Sequence, residues 1–476
     1  MRPSRLAAIA ALLGFPAAAP ERCRVLELGA GDGSLLIPLA LERPESEFWG
    51  MDLSGKAIER GLARIRELGL TNISLEQADI ASFSPSRPFD YILAHGVYSW
   101  VPAPVQEALL ALCRRSLAPQ GLAYLSYATY PGCHQREMVR NLMLFHTARL
   151  SGAPGAEIVK EGLGFARFIA QNQTSGEAYG RAIEQELKRM ESHDAGYAFH
   201  DDFSEHNSPV YFGEMVENVR EHGLDFLAEA LFLNFDDGRL SAEVTAMVEQ
   251  LSGGDRVMRE QYLDFLRGRA FRQSLFCHAG QVPAGAWQLE RLFELSAASA
   301  LQPKSPEEQG IDQPFVRAAL STLAERWPVA MPVRELFERA TALAGAATPQ
   351  ARADEQQLLL RTLLRGAAAR VVELEVTPPA VAAAVSERPR ASALARLEAR
   401  AGLLVTDLWH KRLKLEDEAS AFLLGLLDGT RNHAELADAM ERFFAERAAT
   451  PLPRAEVERQ LQLVLSGMQR RALLLG

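Results

Sequence analysis

Residues 25–35, VLELGAGDGSL, bring Glu27, Gly29, Gly31 and Gly33 into one short run, and Asp52 follows in FWGMDLS at 48–54. Alternating glycines make a turn in which the backbone passes close to a ligand with no Cβ in the way. A carboxylate ending the next strand-like run can accept hydrogen bonds from a ribose diol. Together these residues could hold a nucleotide-type cofactor. Leu53 belongs to the same cofactor-binding set, as do Asp79 and Ile80 in QADI and His95 in HGVYSWVP. His95, Tyr98 and Trp100 share one loop, and Tyr127, Thr129 and Tyr130 lie in YATYPG. Imidazole or phenol groups can help an ammonium lose its proton, and aromatic faces can hold a cation. His95, Tyr98, Trp100, Tyr127 and Tyr130 are therefore the candidate catalytic residues. His134 reads as a residue that caps or packs on the helix after them.

Those residues need a frame, and the periodicity supplies one. Strands are predicted at 24–28, 47–52, 73–77, 89–94 and 122–128, with helices at 34–41, 55–68 and 104–117 between them. Parallel strands separated by helices imply a doubly wound sheet with its ligand at the carboxyl ends of the strands. Beyond Pro131 the period becomes helical, at 134–150, 157–172 and 177–191. The runs LDFLA and RAFRQSLFCH then read as the closing strands of the same sheet, which makes 131–205 a helical insertion. Past the break LQPKSPEEQG come helices at 314–327, 332–343 and 355–368 and the strand RVVELEV, a pattern that suggests a small winged-helix module. A last unit, with strand pieces in LLVTDLWHKRLKLED and three helices, follows TPPAVAAAVSERPR.

Composition bounds the remaining classes. The chain has 476 residues, a net charge of −10 and 24% charged residues. That balance argues against bulk nucleic-acid binding and suits a cationic substrate. Four widely spaced cysteines show neither disulfide nor zinc spacing, which fits a reducing, cytoplasmic compartment. His193, His200 and His206 stand among Asp194, Asp201, Asp202 and Glu205 at irregular spacing, so no metal site is expected. The first twenty residues have the arginines, apolar run and small residues of a secretory leader. Yet Leu6, Ile9, Leu12 and Leu13 share a helical face and a strand starts near Arg24, which favours a packing helix. No segment is long and apolar enough to span a bilayer.

The GxGxG spacing, Glu27, Asp52, QADI and FDYILAHGVYSWVP together resemble the class I methyltransferases that use S-adenosylmethionine (AdoMet). The words HGVYSWVP, YATYPGCHQREMVRNLMLFHT and FLRGRAFRQSL resemble one branch, whose members carry a methyltransferase regulatory domain and include the rickettsial protein lysine methyltransferases. The resemblance covers essentially the whole chain. Members usually carry an aromatic, proline-containing segment ahead of the first helix, whereas this chain begins inside that helix. The resemblance implies an α/β, Rossmann-like sheet with a helical insertion, followed by smaller winged-helix-like domains. Its units would be an AdoMet-binding domain (1–135), a helical and dimerising insertion (136–205), a regulatory region completing the sheet (206–300), a middle domain (301–385) and a C-terminal domain (386–476). It further implies that Gly29, Gly31 and Gly33 flank the methionine and ribose, that Asp52 binds the ribose and that Asp79 and Ile80 face the adenine. Glu27 would order the loop or meet the cofactor's amino group. The acceptor would be an amine, most plausibly a protein lysine, and the chain a homodimer. A small-molecule methyltransferase, or a peptide-binding escort with a vestigial cofactor site, are the alternatives. The absence of an Asp/Asn-Pro-Pro-Tyr run after the fourth strand counts against methylation of DNA bases.

Overall fold

The computed structural model describes every residue except 151, 175–176, 192–201, 233–239, 286, 302–312, 346–347 and 448–452. Seven strands, β1 (Arg24–Leu28), β2 (Glu47–Asp52), β3 (Ile73–Gln77), β4 (Phe89–Ala94), β5 (Leu117–Ala128), β6 (Leu224–Glu229) and β7 (Phe271–His278), form one sheet in the order β3-β2-β1-β4-β5-β7-β6. All pairs through β5 are parallel, and β7 runs antiparallel between β5 and β6. The order reverses between β1 and β4, where Val25 faces Tyr91 and Leu28 faces Ala94 in register. That reversal opens the crevice in which such sheets take their ligands.

Period-two alternation sorts the strand side chains into two layers. Val25, Tyr91, Leu93 and Tyr124 enter one buried core, while Leu26, Leu28, Ile92, Ala94 and Tyr127 enter the other. Glu27 is two residues from Val25, so it lies on the first face. The first core does not stop at the sheet. It runs on through Leu6, Ile9 and Leu12 of the N-terminal helix Pro3–Leu12 and through Phe315, Leu336 and Leu360 of the middle helices. The predicted packing helix thus joins the sheet to the middle unit. Arg2 pairs with Glu375, and Ser4 Oγ donates to the Thr377 carbonyl.

The middle unit differs from expectation at its edge. Strand β8 (Ser296–Ala298), placed ahead of the boundary at residue 301, pairs with β9 (Met331–Pro332) and with β10 (Glu373–Glu375). The strand expected over 370–376 is the three-residue β10, and the helix expected from 355 already starts at Pro349 behind a Thr348 cap. Three short strands pair only across long sequence separations, which no local period reveals. The helical insertion contains Cys133–Thr147, Gly155–Asn172 and Glu177–Glu191 around a small core of its own. The C-terminal unit packs its helices over a two-stranded sheet, Leu404–Thr406 with Arg412–Lys414. Trp409 Nε1 donates to the Pro328 carbonyl, and His410 Nε2 lies 3.0 Å from Glu42, so both residues are structural ties.

Candidate functional site

The glycine turn begins where β1 ends. Gly29 has φ +71°, and a Cβ there would come within 2.7 Å of Val97 Cγ2. Gly31 has φ +55°, and a Cβ there would project into open space. The first position is closed to side chains by strain and a clash; at the second, strain alone opposes one and the space stays open to a ligand. Gly33, with φ +73°, donates its N–H to the Ala30 carbonyl and completes the turn. Asp52 at the end of β2 holds the neighbouring loops together. Its Oδ2 accepts from the Gly31 N–H at 2.8 Å and its Oδ1 from the Ser54 N–H at 2.8 Å. Ser54, and not Asp52, caps the helix Gly55–Leu68 through the Ala57 N–H. The Asp52 carboxylate is only half-buried and faces the turn.

Glu27 is the electrostatic anomaly. Its side chain is buried, and Oε2 has no hydrogen-bond partner among the described residues. Burial raises the carboxyl to about 8, so the free protein carries it largely protonated at neutral pH. The Met1 ammonium pulls the other way, and a buried carboxyl whose Oε2 has no hydrogen bond is costly unless a cation or donor meets it. Leu53 is 69% exposed, Asp79 is exposed and Ile80 half-buried, and Asp79 Oδ1 accepts from the Ala81 N–H. These three residues lie on the carboxyl-end side of β2 and β3.

His95 follows β4 on the same face as Glu27. Its Nδ1 and the Tyr124 hydroxyl share a 2.9 Å hydrogen bond, and its ring meets Phe271 of β7 edge-on at 5.9 Å. The residue is exposed at the rim, but desolvation of the covered side of its ring lowers the imidazole below its ordinary range. It is therefore neutral at neutral pH and a weak base. The loop behind it is fixed by Ser126 Oγ, which accepts from the Gly96 N–H, and by Ser99 Oγ, which accepts from the Ala128 N–H.

Two expected residues are elsewhere. Tyr98 and Tyr127 are fully buried in the core on the opposite face of the sheet from Glu27. The Tyr98 hydroxyl accepts from Asn218, and the Tyr127 hydroxyl is 2.9 Å from Ser274 Oγ. Alternation along β5 turns Tyr127 inward, so neither phenol walls an open site. Trp100 is half-buried and its Nε1 has no partner among the described residues. Thr129 is buried and donates to the Val210 carbonyl. Tyr130 is half-buried beyond β5, donates to Glu137 at 2.9 Å and stacks on His134 at 4.2 Å. Sequence reasoning missed Tyr124, Phe271, Tyr211 and Phe265. Only tertiary pairing brings them here; Phe265 and Phe271 lie in FLRGRAFRQSL, whose resemblance gave them no role, and nothing local marks Tyr124 or Tyr211.

Among the described residues no group of histidine, cysteine and carboxylate side chains could hold a metal; His193, His200, Asp194 and Asp201 lie outside those residues. Asp202 is instead paired with Arg189 and Arg136. No described helix is long and apolar enough to cross a membrane.

Family models match three stretches of the chain. Residues 25–121 match a methyltransferase domain, 194–278 a predicted methyltransferase regulatory domain and 387–473 the C-terminal winged-helix domain of PKMT, protein lysine methyltransferase. The chain is 33% identical over 279 residues to RP789 of Rickettsia prowazekii, spanning 58% of itself and 50% of that protein. It is 30% identical over 221 residues to RP028 of the same organism, covering 46% of itself and 88% of that protein. The chain thus spans only half the length of RP789. PKMT2 from Rickettsia typhi shares the fold across 100% of this chain and 98% of its own, with a TM-score of 0.86 at 24% identity. The chain belongs to the AdoMet-dependent class I methyltransferases that combine a regulatory domain with a PKMT-type winged helix.

Proposed function

We propose that this protein transfers a methyl group from AdoMet to an amine of a protein acceptor, a lysine side chain. One observation carries the reading: a buried, unpartnered Glu27 carboxyl lies just upstream of the open Gly31 turn that Asp52 anchors. Such a site fits a ligand with an ammonium at one end and a ribose at the other. AdoMet would supply an activated methyl group. Glu27 would meet the cofactor's ammonium, Asp52 would take the ribose hydroxyls, Leu53 and Ile80 would lie by the base and Asp79 would accept from its amine. Gly29 and Gly33 shape the turn. His95, with Nδ1 bonded to Tyr124 and its basicity lowered, orients the acceptor nitrogen but is too weak a base to store its proton. The lysine therefore enters as the free amine with its proton left in solvent, and its attack would form the N–C bond as the cofactor's S–C bond breaks to leave AdoHcy. Trp100 and Tyr130 line the acceptor side and exclude water.

The PKMT description of the C-terminal model supports a lysine acceptor, and the structure of R. typhi PKMT2 in complex with AdoHcy supports the cofactor. We assign recognition of the acceptor to the segment just after β5 together with the units beyond residue 205, and a homodimer contact to the insertion at 136–205, where Phe145 is 84% exposed. Four free, buried cysteines support a cytoplasmic location. The test is incubation with labelled AdoMet and lysate protein. Label on lysine, located by mass spectrometry and lost with Asp52→Ala, is the expected result; label only in small molecules overturns it.

A further inference from the structure

Beyond β5 the chain assembles a patch that the cofactor chemistry does not use. The Tyr130 N–H and the Thr129 hydroxyl both donate to the Val210 carbonyl, at 3.2 and 2.8 Å, which draws residue 211 against residue 130. Tyr211, at the start of the helix Phe212–Glu221, places its ring 5.1 Å from Tyr130 and 5.9 Å from Phe265. His134 stacks on Tyr130, and its Nε2 lies 3.2 Å from the Tyr211 hydroxyl. The Tyr130 hydroxyl donates to the Glu137 carboxylate. Phe265, on the helix Arg256–Arg267, is 50% exposed and His134 is exposed, so the cluster faces outward.

We propose that Tyr130, His134, Tyr211 and Phe265, with Glu137 behind them, dock the cationic side chain of the acceptor polypeptide. Ring faces attract a cation, and a carboxylate within the cluster favours one further. The nearby guanidiniums do not cancel that preference, since Arg269 lies against Glu229 and Asp264 and Arg136 pairs with Asp202. An aromatic group with two exposed and two half-buried rings at the surface also calls for a partner. Tyr211 and Phe265 come from the stretch matched as a regulatory domain, so that stretch supplies part of the acceptor site. That the cation is a lysine rests on the methyl-transfer reading.

The test uses the full chain and a lysine-rich peptide of Lys-Ala-Ser repeats, beside the same peptide acetylated at every Nε. Equilibrium binding should favour the free-lysine peptide at least tenfold. Phe265→Lys should weaken it at least tenfold, and Phe265→Tyr should leave it within twofold. Because Phe265 is half exposed both variants should fold, and an unchanged melting temperature checks this. Tyr211→Ala should weaken peptide binding without altering the AdoMet dissociation constant. Equal affinity for the two peptides, no measurable binding, or indifference to Phe265→Lys overturns the docking site. Labelled AdoMet in the same assay separates the two ideas: peptide binding that obeys these variants but never leads to transfer upholds the docking site and sinks the methyl-transfer reading.

Discussion

The proposed cofactor end and the proposed acceptor end of the site are built in opposite ways. The cofactor end is continuous in sequence: β1, its glycine turn, β2 with Asp52, and the loop after β4 all lie between residues 24 and 100. The acceptor end is collected from afar. Tyr130 comes from the end of β5, Tyr211 and Phe265 from two helices beyond the insertion, and Phe271 from β7. Short-range chain closure costs little entropy, whereas the distant pieces must be held by their own interactions. What holds them is a buried ionic cluster. Arg272 on β7 is fully buried and contacts Glu229 of β6 together with Asp264 and Glu260 of the helix Arg256–Arg267, and its guanidinium lies 3.7 Å from the centre of the Phe212 ring. The cofactor end depends on backbone geometry and the acceptor end on a charge network.

Removing the network should give the largest effect. Arg272→Ala removes the central cation from three buried carboxylates, leaving Arg269 against Glu229 and Asp264 and Arg259 against Glu260, and should cost about 3 kcal/mol of stability, read by denaturant unfolding. Amide exchange should rise over β6 and β7 while β1 and β2 stay protected. Uniform acceleration across the sheet would show that the two ends are not independent. The second largest effect belongs to the other end. Asp52→Ala removes the carboxylate proposed to take the ribose hydroxyls, and loss of one such hydrogen bond to a charged acceptor, worth about 2 kcal/mol, should weaken AdoMet binding at least roughly 30-fold by calorimetry. Peptide binding should be unaffected.

Glu27 sharpens the comparison through pH. Its folded pKa of about 8 lies above the ordinary value near 4.5, so the native state holds a proton that the unfolded state releases between those values. Stability of the free protein should therefore fall as pH rises from about 4.5 to 8, and Glu27→Gln should flatten that slope. A bound ammonium favours the carboxylate, so AdoMet affinity should rise about tenfold from pH 6 to 7, with proton release measurable in buffers of different ionisation enthalpy. The smallest effect is Phe271→Leu. Losing the edge-on contact with His95, about 1 kcal/mol, should lower the transfer rate roughly fivefold and leave AdoMet binding unchanged. A change in AdoMet affinity would mean that β7 reaches the cofactor end after all.

The sequence made much of this plain, and unevenly. Five strands through residue 128 and the turn with Asp52 follow from periodicity and glycine spacing, because the bonds that fix them are local or between neighbouring βα units. The two closing strands were also readable as apolar runs. Tyr98 and Tyr127 were misplaced because a motif shows which residues are near in the chain and not which face of a sheet each one occupies. Strand β8 was not read at all, because three residues carry no period. The sequence by itself determined the cofactor end, where spacing along one turn is already geometry. Only the tertiary structure decided the acceptor end, because Tyr130, Tyr211, Phe265 and Phe271 become neighbours when β5, β7 and their helices pack around buried Arg272.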